Sequence, residues 1–145
     1  MKLRITALSL IVIFVFIYFF ALTQKTKVHT PPIVITPQEF KKMLTDKNVI
    51  QDGYRIHVRY CAACHGPALQ GRTGPNLVDA YWIHGRGSSE DILDLLKKGV
   101  SEKGMPAWET VLTPQELVAV TAFVLSVKGT QPADAKGPQG ELISD

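Results

Sequence analysis

Cys61-Ala62-Ala63-Cys64-His65 carries the strongest chemical signal in the chain. Two thiols one helical turn apart, followed at once by an imidazole, match the C-x-x-C-H pattern of covalent c-type haem attachment. Each thiol can add to one haem vinyl group, and the residue that follows then sets its imidazole beneath the iron. Two other chemistries use the same residue types. A thioredoxin-like dithiol expects a βαβ setting, which does not surround this motif. A zinc site could draw on Cys61, Cys64, His65 and His57 within nine residues, but structural zinc sites usually take two separated ligand pairs. Haem attachment fits the spacing best.

A haem iron held by one histidine needs a second strong ligand unless an open site is wanted. Met105, in Gly104-Met105-Pro106, lies 40 residues downstream of His65 in a loop. Its thioether would favour the ferrous state and raise the reduction potential. The plainer role is a core methionine, and His84 in its Gly-flanked loop is the main rival ligand. His29 falls in a spacer, and His57 on the motif helix is expected to pack or face solvent rather than to ligate. Trp82 and Trp108 read as packing residues whose indole N–H groups can also reach a haem propionate. Arg72 and Arg86 have the same reach, although solvation at the surface is the ordinary fate of such side chains.

These residues need helices and loops to place them. Thr36-Pro37-Gln38-Glu39 and Thr113-Pro114-Gln115-Glu116 are two uses of one helix-starting device. Threonine caps, proline takes the first helical position and glutamate bonds back to the cap. A helix is expected from about Gln51 to Ala63, with His57 and Cys61 at i, i+4 spacing. Another is bounded by Ser88 and Gly99, with Lys97 and Lys98 in its last turn. The last runs from Pro114 to Val127 and is apolar on most faces, so it is expected to be buried. A Gly/Pro-rich loop, His65 to Gly87, follows the motif, and a second loop, Gly99 to Thr113, carries Met105. No alternating run bounded by hairpin turns occurs, so the fold class is all-α.

Composition narrows the function. The formal net charge of +3 is too small for a nucleic-acid footprint. Two cysteines three residues apart build no disulfide framework. The chain is 46% hydrophobic and only 20% charged, and the apolar excess is concentrated at one end. Ile5 to Leu22 is interrupted only by Thr6 and Ser9 and would span about 27 Å as a helix, close to the hydrocarbon thickness of a bilayer. Such a run reads as a retained anchor. A cleaved signal would be shorter and would not end on bulky Phe19 and Phe20. Thr23 to Pro37 is polar and then Pro-rich, an extended spacer.

In its motif order, Gln51 to Gly129 resembles the class I cytochrome c family. Gly53, eight residues before Cys61, is similar to the family's helix-crossing glycine. Gly74-Pro75-Asn76-Leu77 resembles the loop whose proline carbonyl accepts a hydrogen bond from the axial histidine. Gly104-Met105-Pro106 resembles the methionine ligand loop, and Phe123 stands where the last helix carries the aromatic that packs on the first. One departure is His57, which occupies the position of a usual aromatic. A narrower likeness links Tyr81-Trp82-Ile83-His84-Gly85, Lys103-Gly104-Met105-Pro106-Ala107-Trp108 and the segment Gly129 to Glu141 to the c-type haem subunit of C-family haem–copper oxidases. That subunit typically carries two haem motifs, and this chain has one.

The resemblance implies a cytochrome c fold around one covalent haem c, with an N-terminal transmembrane helix. Cys61 and Cys64 would hold the haem, His65 and Met105 would ligate its iron, and the Pro75 carbonyl would orient His65. The expected organisation is an anchor at 1–24, a spacer with a short helix at 25–47, the haem domain at 48–130 and an irregular tail at 131–145. The expected function is that of a membrane-anchored monohaem carrier of single electrons between respiratory partners, a quinol-oxidising complex and a terminal oxidase. It is not expected to be an enzyme in itself or to bind nucleic acid. The expected location is the bacterial plasma membrane, with a single pass through the lipid bilayer and the haem domain on the outer, periplasmic face. The alternative is a fixed electron-entry subunit of a haem–copper oxidase. A haem-based gas sensor or peroxidase-like enzyme would need a weak or absent Met105 bond.

Overall fold

The computed structural model describes residues 13–16, 18 and 35–144. The chain divides into two units, Met1–Ile33 and Val34–Asp145. In the first, residues 13–16 and 18 are helical with exposed side chains. Most of the expected anchor at 1–24, and residues 25–34 of the expected spacer, lie outside the described residues. Among the described residues, no helix is long and apolar enough to cross a membrane.

The second unit is helical. Helix α1 spans Pro37–Met43, α2 Lys47–Tyr60, the single turn α3 Ala62–His65, α4 Ser89–Lys98 and α5 Pro114–Val127. The two Thr-Pro-Gln-Glu segments both form the reciprocal cap, with Thr36 bonded to Glu39 and Thr113 to Glu116. Helix α2 begins earlier than the apolar pattern suggests, because the Asp46 carboxylate accepts from the Asn48 and Val49 amides and so starts the helix there. It also ends earlier. Cys61 interrupts it with φ −114°, and the haem motif occupies a separate turn.

Helices α2 and α5 cross closely. At the crossing a Cβ on Gly53 would fall 1.9 Å from the Ala119 carbonyl oxygen and 2.9 Å from the Phe123 Cβ, so only glycine permits this approach. Phe123 lies against α2, its ring 5.5 Å from Tyr54 edge-on and 5.2 Å from His57. His57, at the position of the family's usual aromatic, thus shares the contact to Phe123 with Tyr54, three residues earlier. Helix α5 has an almost fully buried run from Leu117 to Val124, and α4 packs Ile92 and Leu96 into the same core with Leu69, Val78 and Trp82. Each such aliphatic or aromatic side chain contributes about 1.5–3 kcal/mol on burial.

The all-α expectation has one small exception among the described residues. Tyr81–Trp82 pairs antiparallel with Glu141–Leu142, Tyr81 opposite Leu142. Most of the segment after α5 is irregular, but it is tied down along its length, with the Ile143 amide bonded to the Ala80 carbonyl at 2.9 Å.

Candidate haem-binding site

The motif turn is built from the end of α2. The Cys61 amide still donates to His57 at 2.8 Å, and the Cys64 and His65 amides both return to the Cys61 carbonyl at 3.1 and 2.9 Å. One turn therefore separates the two sulfurs, as the sequence spacing requires. Both thiols are unpaired, Cys61 partly buried and Cys64 exposed. Burial, and secondarily the neighbouring Cys64, pushes the Cys61 thiol up to about 11, so it stays protonated at neutral pH.

The loop that follows is laced onto the carbonyls of this turn. Gly71 donates to the His65 carbonyl at 2.7 Å, and Gly74 and Arg72 donate to the Cys64 carbonyl at 2.9 and 3.1 Å. This lacing delivers the Pro75 carbonyl to His65 Nδ1 at 3.0 Å. With the ring proton on Nδ1, the imidazole is held in one tautomer, and Nε2 is the nitrogen left to take a metal. His65 is held below the ordinary imidazole value chiefly by burial and further by the Lys136 charge, against the opposing effect of the Pro75 bond. It is therefore neutral at neutral pH, the form a metal requires.

Met105 is presented by a tight return of chain. Val100 and Met105 exchange backbone hydrogen bonds at 2.8 and 3.1 Å, closing a small loop through Ser101–Lys103. Gly99 sits beneath it at φ +67°, where a Cβ would fall 2.6 Å from the Met105 carbonyl oxygen. Met105 is partly buried against the core, together with Trp108 and Tyr60, whereas His84 is exposed. Arg72 and Arg86 are also exposed. Trp82 is 6% exposed, and its Nε1 has no partner, a buried donor of the kind a haem propionate satisfies. Thiols, neutral imidazole, thioether and unpaired indole N–H together fit a covalent haem.

Two contributors go beyond the sequence reading. His57 is 1% exposed, and its Nε2 lies 3.0 Å from the Gly66 carbonyl oxygen. A polar residue at an aromatic position was the available signal. Lys136 falls in the Gly129 to Glu141 segment that shares the oxidase-subunit likeness, but its Pro/Gly-rich composition carries no periodicity that would assign it a contact.

A helical domain with a C-x-x-C-H turn, a proline-oriented histidine and a distant methionine loop is a c-type cytochrome domain. The chain is similar to cytochrome cL of the marine methylotroph Methylophaga aminisulfidivorans, with a TM-score of 0.59 and 22% identity over 71% of this chain and 72% of that one; this likeness establishes the fold. The family model described as cytochrome c oxidase, cbb3-type, subunit III, matches residues 48–124, and the chain belongs to that family. Membership implies covalent haem c. Subunit CcoP of the cbb3-type oxidase of Rhodobacter capsulatus is 36% identical over 104 residues, covering 63% of this chain and 34% of the relative. CcoP of Rubrivivax gelatinosus is 32% identical over 93 residues, covering 63% and 30%. FixP of Bradyrhizobium diazoefficiens is 34% identical over 80 residues, covering 53% and 27%. The chain thus spans about a third of the length of the curated relatives it matches.

Proposed function

We propose that the protein passes single electrons to a haem–copper oxidase of the cbb3 type, as an electron-entry subunit of that complex. The family match and the CcoP and FixP relatives support this reading over the freely moving carrier expected from the sequence. The observation that carries it is the His65–Pro75 bond inside the segment that the family model matches.

A bound haem supplies the one-electron couple. Cys61 and Cys64 would hold it through two thioethers, and two cysteines suit a single haem. His65 Nε2 and the Met105 thioether would be the residues that hold its iron, a ligand pair that suits electron transfer rather than substrate chemistry. Pro75 fixes the imidazole plane and makes it a better donor. The unpartnered Trp82 indole N–H would be available to a propionate. Cys64 is exposed, and the haem edge beside it would be where electrons enter and leave.

The Pro-rich run from Thr30 to Pro37 favours a second reading of the same chemistry. In that reading an anchor at residues 1–24 and a spacer at 25–47 let a haem domain at 48–130, with its tail at 131–145, move between partners on the outer face of the plasma membrane. A coil of about 14 residues reaches about 20 Å.

Absorption spectra of detergent-extracted protein, oxidised and reduced, with and without carbon monoxide, test the site. A low-spin c-type spectrum with no carbon monoxide response is expected, and absence of covalent haem overturns the assignment. Gentle extraction then separates the two settings. A subunit co-elutes with haem–copper subunits, whereas a tethered carrier washes away.

A further inference from the structure

Composition marks residues 131–145 as an irregular tail, yet the structure fastens this segment to the histidine side of the site. The Lys136 amide donates to the Gln70 carbonyl at 2.8 Å, and Asn76 Nδ2 donates to the Lys136 carbonyl at 3.1 Å. Asn76 is itself buried, and its Oδ1 accepts from the Val78 amide at 3.0 Å. Lys136 is thus gripped by both of its backbone polar groups. Its ammonium is delivered to the Gly74 carbonyl at 3.2 Å, with the Thr73 carbonyl at 3.5 Å.

Gly74 lies directly against the His65 imidazole. A Cβ there would stand 2.9 Å from His65 Cε1 and 3.0 Å from Nδ1. Only the Gly74 residue therefore separates the ammonium from the imidazole. Both neighbours of Pro75 are bonded to Lys136, Gly74 through its carbonyl and Asn76 through its side chain.

We propose that Lys136 is a fixed positive charge, held by the C-terminal segment on the histidine side of the haem, that favours the ferrous over the ferric state. The inference rests on the reading of His65 as an axial ligand. Oxidation adds a unit of positive charge to the haem, and a cation held nearby raises the free energy of that state. The backbone grip fixes the root of the side chain, and the Gly74 and Thr73 carbonyls hold the ammonium beside the site. The grip also survives replacement of the side chain, because the bonds to Gln70 and Asn76 use the Lys136 backbone. Charge can therefore be varied without releasing the segment.

Spectropotentiometric titration of the full-length haem protein tests this, with Lys136→Arg, Lys136→Met and Lys136→Glu compared with wild type and covalent haem quantified in each. Arg is expected to titrate as wild type. At a fixed ambient potential Met raises the oxidised-to-reduced ratio by ~3-fold. Glu raises it by ~10-fold, which is ~59 mV for a one-electron couple. Should the Glu variant lose haem, the Arg and Met pair decides the question. Equal ratios in wild type and Met overturn the proposal, as does an equal shift in Arg and Met. Wild-type protein that lacks covalent haem, or that keeps a low-spin spectrum after His65→Ala, overturns the underlying reading instead.

Discussion

His57 Nε2 lies 3.0 Å from the Gly66 carbonyl oxygen, so a side chain from the last turn of α2 closes the turn that carries the haem motif. The ring donates through Nε2, which leaves Nδ1 as a buried acceptor without a partner. His57 also lies against Phe123 of α5. One residue thereby couples the α2–α5 crossing to the position of His65. Truncation should cost packing and leave the Gly66 carbonyl unsatisfied. His57→Ala is expected to lose about 2–4 kcal/mol of stability, read from urea unfolding.

Burial lowers the His57 pKa below the ordinary imidazole value. The unfolded chain therefore binds more protons than the native one as pH falls through about 6.5. The stability held above that pH declines below it, toward the lowered native value. His57→Phe removes this contribution, so its unfolding midpoint should fall less than that of wild type between pH 7.5 and 5.5. Parallel declines in the two proteins would show that His57 does not titrate on unfolding.

At the crossing itself, Gly53→Ala would place a methyl 1.9 Å from the Ala119 carbonyl oxygen. Backbone cannot yield as a flexible side chain does, so α2 must move off α5. A loss of about 1–3 kcal/mol or more is expected. An unchanged thermal midpoint would mean that the helices cross with more room than the structure gives them.

Removing the Met105 thioether should open one axial position. Met105→Ala is expected to keep covalent haem, because Cys61 and Cys64 are untouched, and to lower the reduction potential. The reduced variant should bind carbon monoxide where wild type does not. A variant that still excludes carbon monoxide would point to another ligand, with His84 the first to replace.

Much of the fold and site was legible because local chemistry specified it. The caps at Thr36, Ser88 and Thr113 fix helix starts, and each acts within one turn. The C-x-x-C-H turn and the Gly74–Pro75 loop have fixed spacing. What was not legible depends on distant partners. Lys136 meets Gly74 across 62 residues, and the pairing of Tyr81–Trp82 with Glu141–Leu142 is too short to show alternation. The acceptor of His57 required the motif turn to be folded first. Even the break at Cys61 follows from where the turn's hydrogen bonds lead rather than from helix propensity.

The two capping boxes offer a last comparison, since they repeat one sequence in different surroundings. Thr113 and Glu116 start α5, whose Leu117–Val124 run lies in the core, whereas α1 buries no residue. The local bonds are nearly equal. The Glu116 carboxylate accepts from the Thr113 amide at 2.8 Å and the Glu39 carboxylate from the Thr36 amide at 2.9 Å. Thr113→Ala should therefore lower global stability by about 1 kcal/mol, because α5 cannot fray without opening the core. Thr36→Ala should leave the urea midpoint nearly unchanged and instead speed hydrogen exchange of the α1 amides, since a peripheral helix opens locally. Equal losses of global stability from both substitutions would mean that α1 unfolds together with the rest of the domain.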